Sequence, residues 1–392
     1  MISIKEAHKI IEERVSLNQQ TGRVNLADAL DRVLAEHVFS DIDFPSFDKS
    51  AMDGYAIRSE DIRKTLKVIE FIPAGKKPAA MIKPGQCSRI MTGAMLPGGA
   101  DIVVMQEDVK EVGFKSVMVT NPDTKRNILY KGEDLSKGAM LLPKGTRLNP
   151  PHLGLLASAG MTKPLVFFKP TVSILSTGDE LVAPDQKPEA PHIRNSNGIQ
   201  LLALTREAGA RVVAVRQSGD DSRKIFNEVR DCLSISEMVI VTGGASVGER
   251  DYSARVFEKL RADLHFNKLA IQPGKPLIFA TVENKILFGL SGNPVSSFVQ
   301  FELFVKPTIE KLTGASGKEK IFKLPISKDK TRKKAERMLF FPVAINEDME
   351  AEPIEYHGSA HLHAYHKADG IAAFPVGLKE LKKGTLVDVR PF

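Results

Sequence analysis

TVSILSTGDEL (171–181) is the stretch on which the fold turns. Val172, Ile174 and Leu175 form a short apolar run, and Thr177 to Glu180 close it with a polar turn. That pattern predicts a buried strand feeding a loop. The device then repeats. IRNSNGIQLLALTREAGA (193–210) reads as a capped helix ending at Gly209, and RVVAVRQSGDD (211–221) as a strand. SRKIFNEVRDCLS (222–234) is a helix, SEMVIVTGGASVG (236–248) a strand with a Gly-rich loop, and RDYSARVFEKL (250–260) a helix. HFNKLAIQPGKP (265–276) and IFATVENKILFGLSGNPVSSF (278–298) add strands, the last running into a helix. Strands that read as near-continuous Val/Ile/Leu, alternating with helices, predict a mostly parallel sheet covered on both faces. Residues 171–317 are therefore expected to form a central three-layer α/β domain.

The flanks read differently. MISIKEAHKIIEERV (1–15) places Ile4, Ala7, Ile11 and Val15 at helical spacing, an amphipathic helix with no apolar signal-peptide core. A second helical patch is expected near 26–36, and PPHLGLLASAG (150–160) opens on prolines suited to a first helical turn. These give a discontinuous, extended helical linker domain over 1–43 and 147–170. FPSFDKSAMDGYAIR (44–58) is turn-rich, and short strands punctuated by Gly and Pro fill 66–146, so 44–146 is expected to be a β-rich module. From 318 to 392 short strands and turns return, predicting a β-barrel-like C-terminal domain. The expected whole is a multi-domain α/β plus β protein.

Composition bounds the partners. The 392 residues carry a formal net charge of +7, which points to anions. There is no Trp and only 6% aromatic residues, so stacking platforms for nucleic acid are scarce, and nucleic-acid binding is not expected. Basic residues are spread along the chain, the densest cluster being KDKTRKK (328–334). The two cysteines, Cys87 and Cys232, lie far apart and make neither a zinc site nor a disulfide scaffold. No run reaches the length of a membrane span, so a cytoplasmic protein without membrane contact is expected.

In an open α/β sheet ligands bind beyond the carboxyl ends of the strands. Those ends carry Ser176, Thr177, Gly178, Asp179 and Glu180; then Gly219, Asp220 and Asp221; then Thr242, Gly243, Gly244, Ser246 and Gly248, with Asp251 just behind. KLAIQPGKPL (268–277) adds Lys268, Gln272, Pro273, Gly274 and Lys275 as a stiff turn flanked by cations, and the last strand adds Ser291, Gly292, Asn293, Pro294 and Ser296. GGASVG (243–248) has the composition of a phosphate cradle, although Gly-rich strand-to-helix loops also serve packing. Asn293 followed by Pro294 is equally a helix cap and first turn. Glu180, Asp220 and Asp251 follow three different strands and should converge, a hard-oxygen set suited to Mg²⁺ bridging a phosphate; Asp179 or Asp220 also suits a helix cap or a turn. Neither GxxxxGK[ST] nor GxGxxG follows a strand.

Seven motifs stand in order: FPSFDKSAMDGYAIR (44–58), IMTGAMLPGGADIVVMQED (90–108), GEDLSKGAML (132–141), SILSTGDEL (173–181), VTGGASVGERDY (241–252), KLAIQPGKPL and GLSGNPVSSF (289–298). Together they closely resemble the MoeA family of molybdopterin molybdenumtransferases, whose eukaryotic relatives include the E domain of gephyrin. The resemblance implies a reaction in which adenylylated molybdopterin and molybdate, with Mg²⁺, give molybdenum cofactor and AMP. It implies cation and phosphate binding by Glu180, Asp220 and Asp251, and molybdate or pterin-phosphate binding by Lys268, Lys275, Ser296 and Ser359. It also implies that Asp53, Thr92 and Asp134 act across an elongated homodimer on the partner's α/β domain. Without it, Asp53 and Gly54 would read as a plain turn. The molybdopterin adenylyltransferase and molybdoenzyme chaperones are further partners the resemblance admits. A scaffold of the same fold and the adenylyltransferase activity itself are the competing readings.

Three positions depart from the resemblance. Gln272 stands where many relatives have lysine, so Gln272→Lys is expected to tighten molybdate binding if the loop relies on that cation and to leave it unchanged if it does not; Ser291 replaces a proline. In MLFFPVAIN (338–346) Pro342 occupies a common arginine position, with Arg337 the nearest replacement. Finally, His357, His361, His363 and His366 in EYHGSAHLHAYHK (355–367) are either surface histidines or a transition-metal site.

Overall fold

Residues 171–177 form a strand, β1 (Thr171–Thr177), buried from Val172 onward. The computed structural model describes residues 1–17, 20–244, 252–316 and 320–392. After β1 come α1 (Ser196–Glu207), β2 (Arg211–Ser218), α2 (Ser222–Ile235), β3 (Met238–Thr242) and α3 (Tyr252–Lys259). Then follow β4 (Asp263–Lys268), β5 (Pro276–Val282), β6 (Lys285–Leu290) and α4 (Pro294–Gln300). The sheet order is β2-β1-β3-β6-β5-β4. β2, β1, β3 and β6 pair in parallel, and β5 alone runs against its neighbours.

The apolar runs are continuous because both faces are covered. Successive strand residues point to opposite faces. Ile174 and Ile240 accordingly pack with α1 and α4 through Leu201, Val295 and Val299. Leu175, Val239 and Val241 pack on the other side with Ile225 and Val229 of α2 and Val256 and Phe257 of α3. Caps set where the helices begin. Asn195 accepts the N–H of Gly198 at 3.0 Å, and Asp221 accepts those of Arg223 and Lys224 at 2.8 and 3.1 Å.

The chain divides into two compact units, one of residues 1–36, 145–149 and 163–392, the other of 37–144 and 150–162. The second unit carries a six-stranded sheet that includes Gly54–Ile57, Gln86–Ile90 and Ile102–Met105. Asp53 and Gly54 are not a plain turn there. Gly54 begins the strand that pairs with both Gln86–Ile90 and Ile102–Met105, and a Cβ on it would sit 1.9 Å from Val104 O. The helix expected near 26–36 does not form either, since Leu26–Asp28 is one 3₁₀ turn. The N–H of Leu34 goes to Thr146 O and that of Ala35 to Leu165 O, so long-range pairing overrides the local period.

In the first unit the C-terminal region is a sheet of Met338–Ile345, Gly370–Phe374, Leu386–Pro391 and Phe322–Pro325, with Ala351–Pro353 beside the first of these. Its outer strand comes from the α/β region: Ile271–Gln272 pairs in parallel with Met338 and Leu339.

Beyond α4 the helix continues through a π-helical turn, Phe301–Val305, into Lys306–Leu312. Pro307 has no N–H for the carbonyl of Leu303 four residues back. His8 supplies the missing donor. Its Nε2 lies 2.7 Å from Leu303 O, and its ring meets Phe304 edge-on at 5.2 Å. His8→Ala should therefore lower stability by about 1–3 kcal/mol, the cost of an unpaired buried carbonyl. Urea unfolding should show an earlier midpoint with an unchanged slope.

Candidate functional site

A cleft of about 1080 Å³ opens at the carboxyl ends of the strands. β1 gives it Ser176, Thr177 and Gly178, and the turn after β2 gives Asp220. β3 gives Thr242, Gly243 and Gly244; the segment before β5 gives Pro273, Gly274 and Lys275. Gly292, Asn293, Pro294 and Ser296 come from the start of α4, and Ser359 from the C-terminal region. The cleft thus brings most of the predicted rim together. Ser246, Gly248 and Asp251 lie outside the described residues. Lys268 does not line the cleft: its backbone pairs with Pro276, and its carbonyl takes the N–H of Ile2.

Close backbone approach sets the floor. Gly243 has φ +96°, and a Cβ on it would lie 2.1 Å from Thr177 O, so no other residue fits between β1 and β3. Asn197 donates from Nδ2 to Thr242 Oγ1 at 2.9 Å and to Gly292 O at 2.8 Å. The Thr242 hydroxyl in turn donates a hydrogen bond to Ser291 O at 2.9 Å. The hydroxyls of Ser176 and Thr177 are buried and have no partner among the described residues. Buried polar atoms are normally paired, so these two hydroxyls are ready donors or acceptors for a ligand.

Gln300, fully buried, ties the rim together. Its Oε1 accepts the N–H of Ser291 at 2.9 Å, while Nε2 donates to Gly274 O at 2.9 Å and to Pro276 O. One amide thus holds the end of β6 against the PGKP turn. Nothing in the sequence marked it, because a glutamine on an apolar helix looks like a surface residue.

Glu180 and Asp220 both line the cleft. Asp221 caps α2, and the N–H groups of Lys224 and Arg223 hold its carboxyl below its usual range. Asp179 positions its neighbour: its Oδ1 accepts the N–H of Asp220 at 2.9 Å. Among the described residues no group of three acidic, His or Cys side chains gathers as a metal cage. Two carboxylates remain, and Mg²⁺ habitually takes one or two together with substrate phosphates.

The cleft's cations among the described residues are Arg194, Lys275 and Arg337. The short parallel pairing of Ile271–Gln272 with Met338–Leu339 brings Arg337 beside the turn. Its guanidinium donates to Ile271 O at 3.3 Å and to Gln272 Oε1 at 3.4 Å. Tyr356 lines the same wall; its hydroxyl donates to Phe340 O at 3.2 Å, and burial pushes its pKa up to about 12, so it stays neutral. Ser359 O accepts the N–H of Val295, which anchors its loop on α4.

In the other unit Asp53 and Thr92 form one device. Asp53 Oδ1 accepts both the N–H and the hydroxyl of Thr92, at 2.7 and 2.6 Å. Asp134 is exposed, and its N–H goes to Phe44 O. The four histidines make a column of stacked rings, with centroids 5.2 Å (His357–His361), 6.5 Å (His361–His363) and 4.8 Å (His363–His366) apart. They do not form the transition-metal group that their spacing allowed. His361 Nδ1 accepts the N–H of His357, and His366 Nδ1 lies against His363 O, so local bonds use these nitrogens.

Known proteins match along the whole chain. The MoeA N-terminal region (domain I and II) matches residues 2–160, a probable molybdopterin binding domain 173–311, and the MoeA C-terminal region (domain IV) 326–392. A molybdopterin molybdenumtransferase of Staphylococcus epidermidis is 36% identical over 399 aligned residues, covering 99% of this chain and 95% of the relative. One from a Nostoc species is 37% identical, covering 82% and 77%. The solved molybdopterin biosynthesis MoeA protein of Pyrococcus horikoshii OT3 covers 100% of both chains at 30% identity with a TM-score of 0.86.

Gln300→Leu strands the Ser291 N–H and two carbonyls, and should cost at least about 2 kcal/mol in thermal or urea unfolding. Gln300→Glu keeps the acceptor for Ser291 but sets a carboxylate oxygen against the two carbonyls, so it should cost at least as much. Separately, the hydrogen bonds from Thr92, side chain first and then backbone, hold the Asp53 carboxyl below its ordinary pKa. Its contribution to stability is present above the unfolded-state pKa and disappears as pH falls through the folded one. Thr92→Val should move the Asp53 titration upward in a carboxyl NMR experiment; an unmoved titration would assign the depression elsewhere.

Proposed function

The chain belongs to the MoeA family, and we propose that its rim cleft is where a molybdopterin molybdenumtransferase reaction takes place. The observation that carries this reading is the convergence on one rim of Glu180, Asp220, two unpartnered buried hydroxyls and three cations. The substrates would be adenylylated molybdopterin and molybdate, and the products molybdenum cofactor and AMP. The cleft has room for a nucleotide-sized ligand, and its polarity suits phosphate and oxyanion rather than an apolar guest.

Glu180 and Asp220 would hold Mg²⁺ against the pyrophosphate, with Asp251 as the third carboxylate. The ion, when bound, offsets the phosphate charge and polarises the phosphorus for attack. Ser176 and Thr177 would donate to the phosphate or pterin oxygens, and Gly243 and Gly244 let the backbone approach them. Lys275 and Arg337, with the hydroxyls of Ser296 and Ser359, would hold molybdate. Lys268 would serve the turn through its backbone rather than the anion through its ammonium. Asp53, Thr92 and Asp134 belong to the other unit, and in this reading they complete the partner's site in a homodimer. No helix among the described residues is long and apolar enough to cross a membrane.

Gln272 now has a physical account. Its neutral amide accepts from Arg337, and a lysine there would set an ammonium against the guanidinium and remove the acceptor. The tightening expected from charge counting alone should therefore not occur. Incubation with adenylylated molybdopterin, molybdate and Mg²⁺ should release AMP together with active cofactor; no AMP above background would sink the reading. In the same assay Arg337→Ala should weaken molybdate about tenfold or more, the size of one lost charge-assisted contact. Gln272→Lys should leave molybdate affinity equal to or weaker than that of the parent.

A further inference from the structure

A second cavity, of about 530 Å³, lies at the opposite, amino-end rim of the same sheet. Thr171 and Arg211 are the first residues of β1 and β2, Lys285 is the first of β6, and Glu237 immediately precedes β3. Arg32 and Lys169 join them, so four cations and one carboxylate line this space. Phe168 and Ile235, 44% and 48% exposed, give it an apolar edge.

Cations at this rim have an ordinary reason to exist. The helices of a parallel α/β layer present their negative ends here. That reason accounts for Lys285, whose ammonium donates to Leu233 O near the end of α2. Arg32 is partly accounted for by its bond to Phe167 O at 2.9 Å. Its Nε, however, is buried with no acceptor among the described residues, and burial lowers its pKa with no carboxylate offsetting the cost. The side chains of Lys169 and Arg211 have no hydrogen-bond or ion-pair partner among the described residues, the N–H of Arg211 going to Pro170 O. Glu237 does not simply cancel them. Its Oε2 is engaged by the N–H and hydroxyl of Thr171, at 2.8 and 3.1 Å, as the link between β1 and β3. A concave site with converging cations, a buried guanidinium N–H in need of an acceptor and an apolar edge is built for an anion with some bulk.

We infer that this amino-end cavity is a second binding site, for a phosphoryl compound held by Lys169, Arg211 and Arg32. The shared chemistry is a phosphoryl group; free pyrophosphate and a nucleoside monophosphate are its two sources, the second using the edge of Phe168 and Ile235. The site is separate from the rim cleft and does not depend on the reaction assigned there.

Two isoleucine methyls separate the sites. Ile235 lines this cavity and Ile193 the cleft. The full chain, methyl-labelled at isoleucine, is titrated with inorganic pyrophosphate and, in a second arm, with AMP. The expected result is a saturable Ile235 shift whatever Ile193 does. Lys169→Gln with Arg211→Gln should weaken that response about tenfold or more, with the Ile193 response unchanged. Tighter binding of AMP than of pyrophosphate assigns the nucleotide; equal binding assigns the inorganic anion. A flat or non-saturating Ile235 response to both probes overturns the proposal, as does a response the double variant retains in full. Arg211→Gln alone, at an exposed position, repeats the test should the double variant unfold.

Discussion

A single buried amide governs the geometry of the rim. Gln300 is enclosed among Phe298, Phe301 and Phe304 in sequence, yet it spends its hydrogen bonds on Ser291, Gly274 and Pro276. An amide without water cannot afford a vacant valence, so the helix it sits on, the end of β6 and the PGKP turn must hold one mutual position. Lys275 lies between two of the carbonyls that Gln300 grips. The cation's place in the cleft therefore follows from a residue that is itself no part of the lining.

The other wall depends on a chain crossing between layers. Ile271 and Gln272 leave the α/β sheet and join the edge of the C-terminal sheet beside Met338 and Leu339. That pairing delivers Arg337 to the turn, where Gln272 and Ile271 supply acceptors. The C-terminal sheet thus shapes the anion end of the cleft. A position that looked like a lost cation is better described as the acceptor for a cation brought from elsewhere.

Charge at the two ends of the sheet shows how one architecture produces different surfaces. At the carboxyl ends, loops carry carboxylates and hydroxyls among glycines, because the strands there feed helices through polar turns. At the amino ends helices finish, and Lys285 meets the carbonyl of Leu233 near the end of α2. Lys285 is absorbed by that duty, whereas Lys169 and Arg211 are left facing the cavity.

The strands, most of the helices and the rim were legible in the sequence, for a local reason. A strand covered on both faces must be apolar throughout, and the polarity of a parallel sheet sends the residues after each strand to the same edge. Val172–Leu175 and Met238–Val241 declare the first property, and Thr177–Glu180 with Thr242–Gly244 declare the second. The segment 26–36 misled because its helical period is genuine, but Thr146 and Leu165 take its N–H groups. Gly54 looked like a turn because its constraint is the carbonyl of Val104, distant in sequence. Gln300, the bond from Asp220 to Asp179 and the partnership of Arg337 with Gln272 were not legible, although Asp179 and Arg337 themselves were. What the sequence by itself determined was which residues are buried and which end of the sheet carries chemistry, since both follow from side-chain period and strand direction. Only the tertiary structure decided which side chain satisfies which, because a hydrogen bond depends on ångström-scale proximity that residue spacing does not encode.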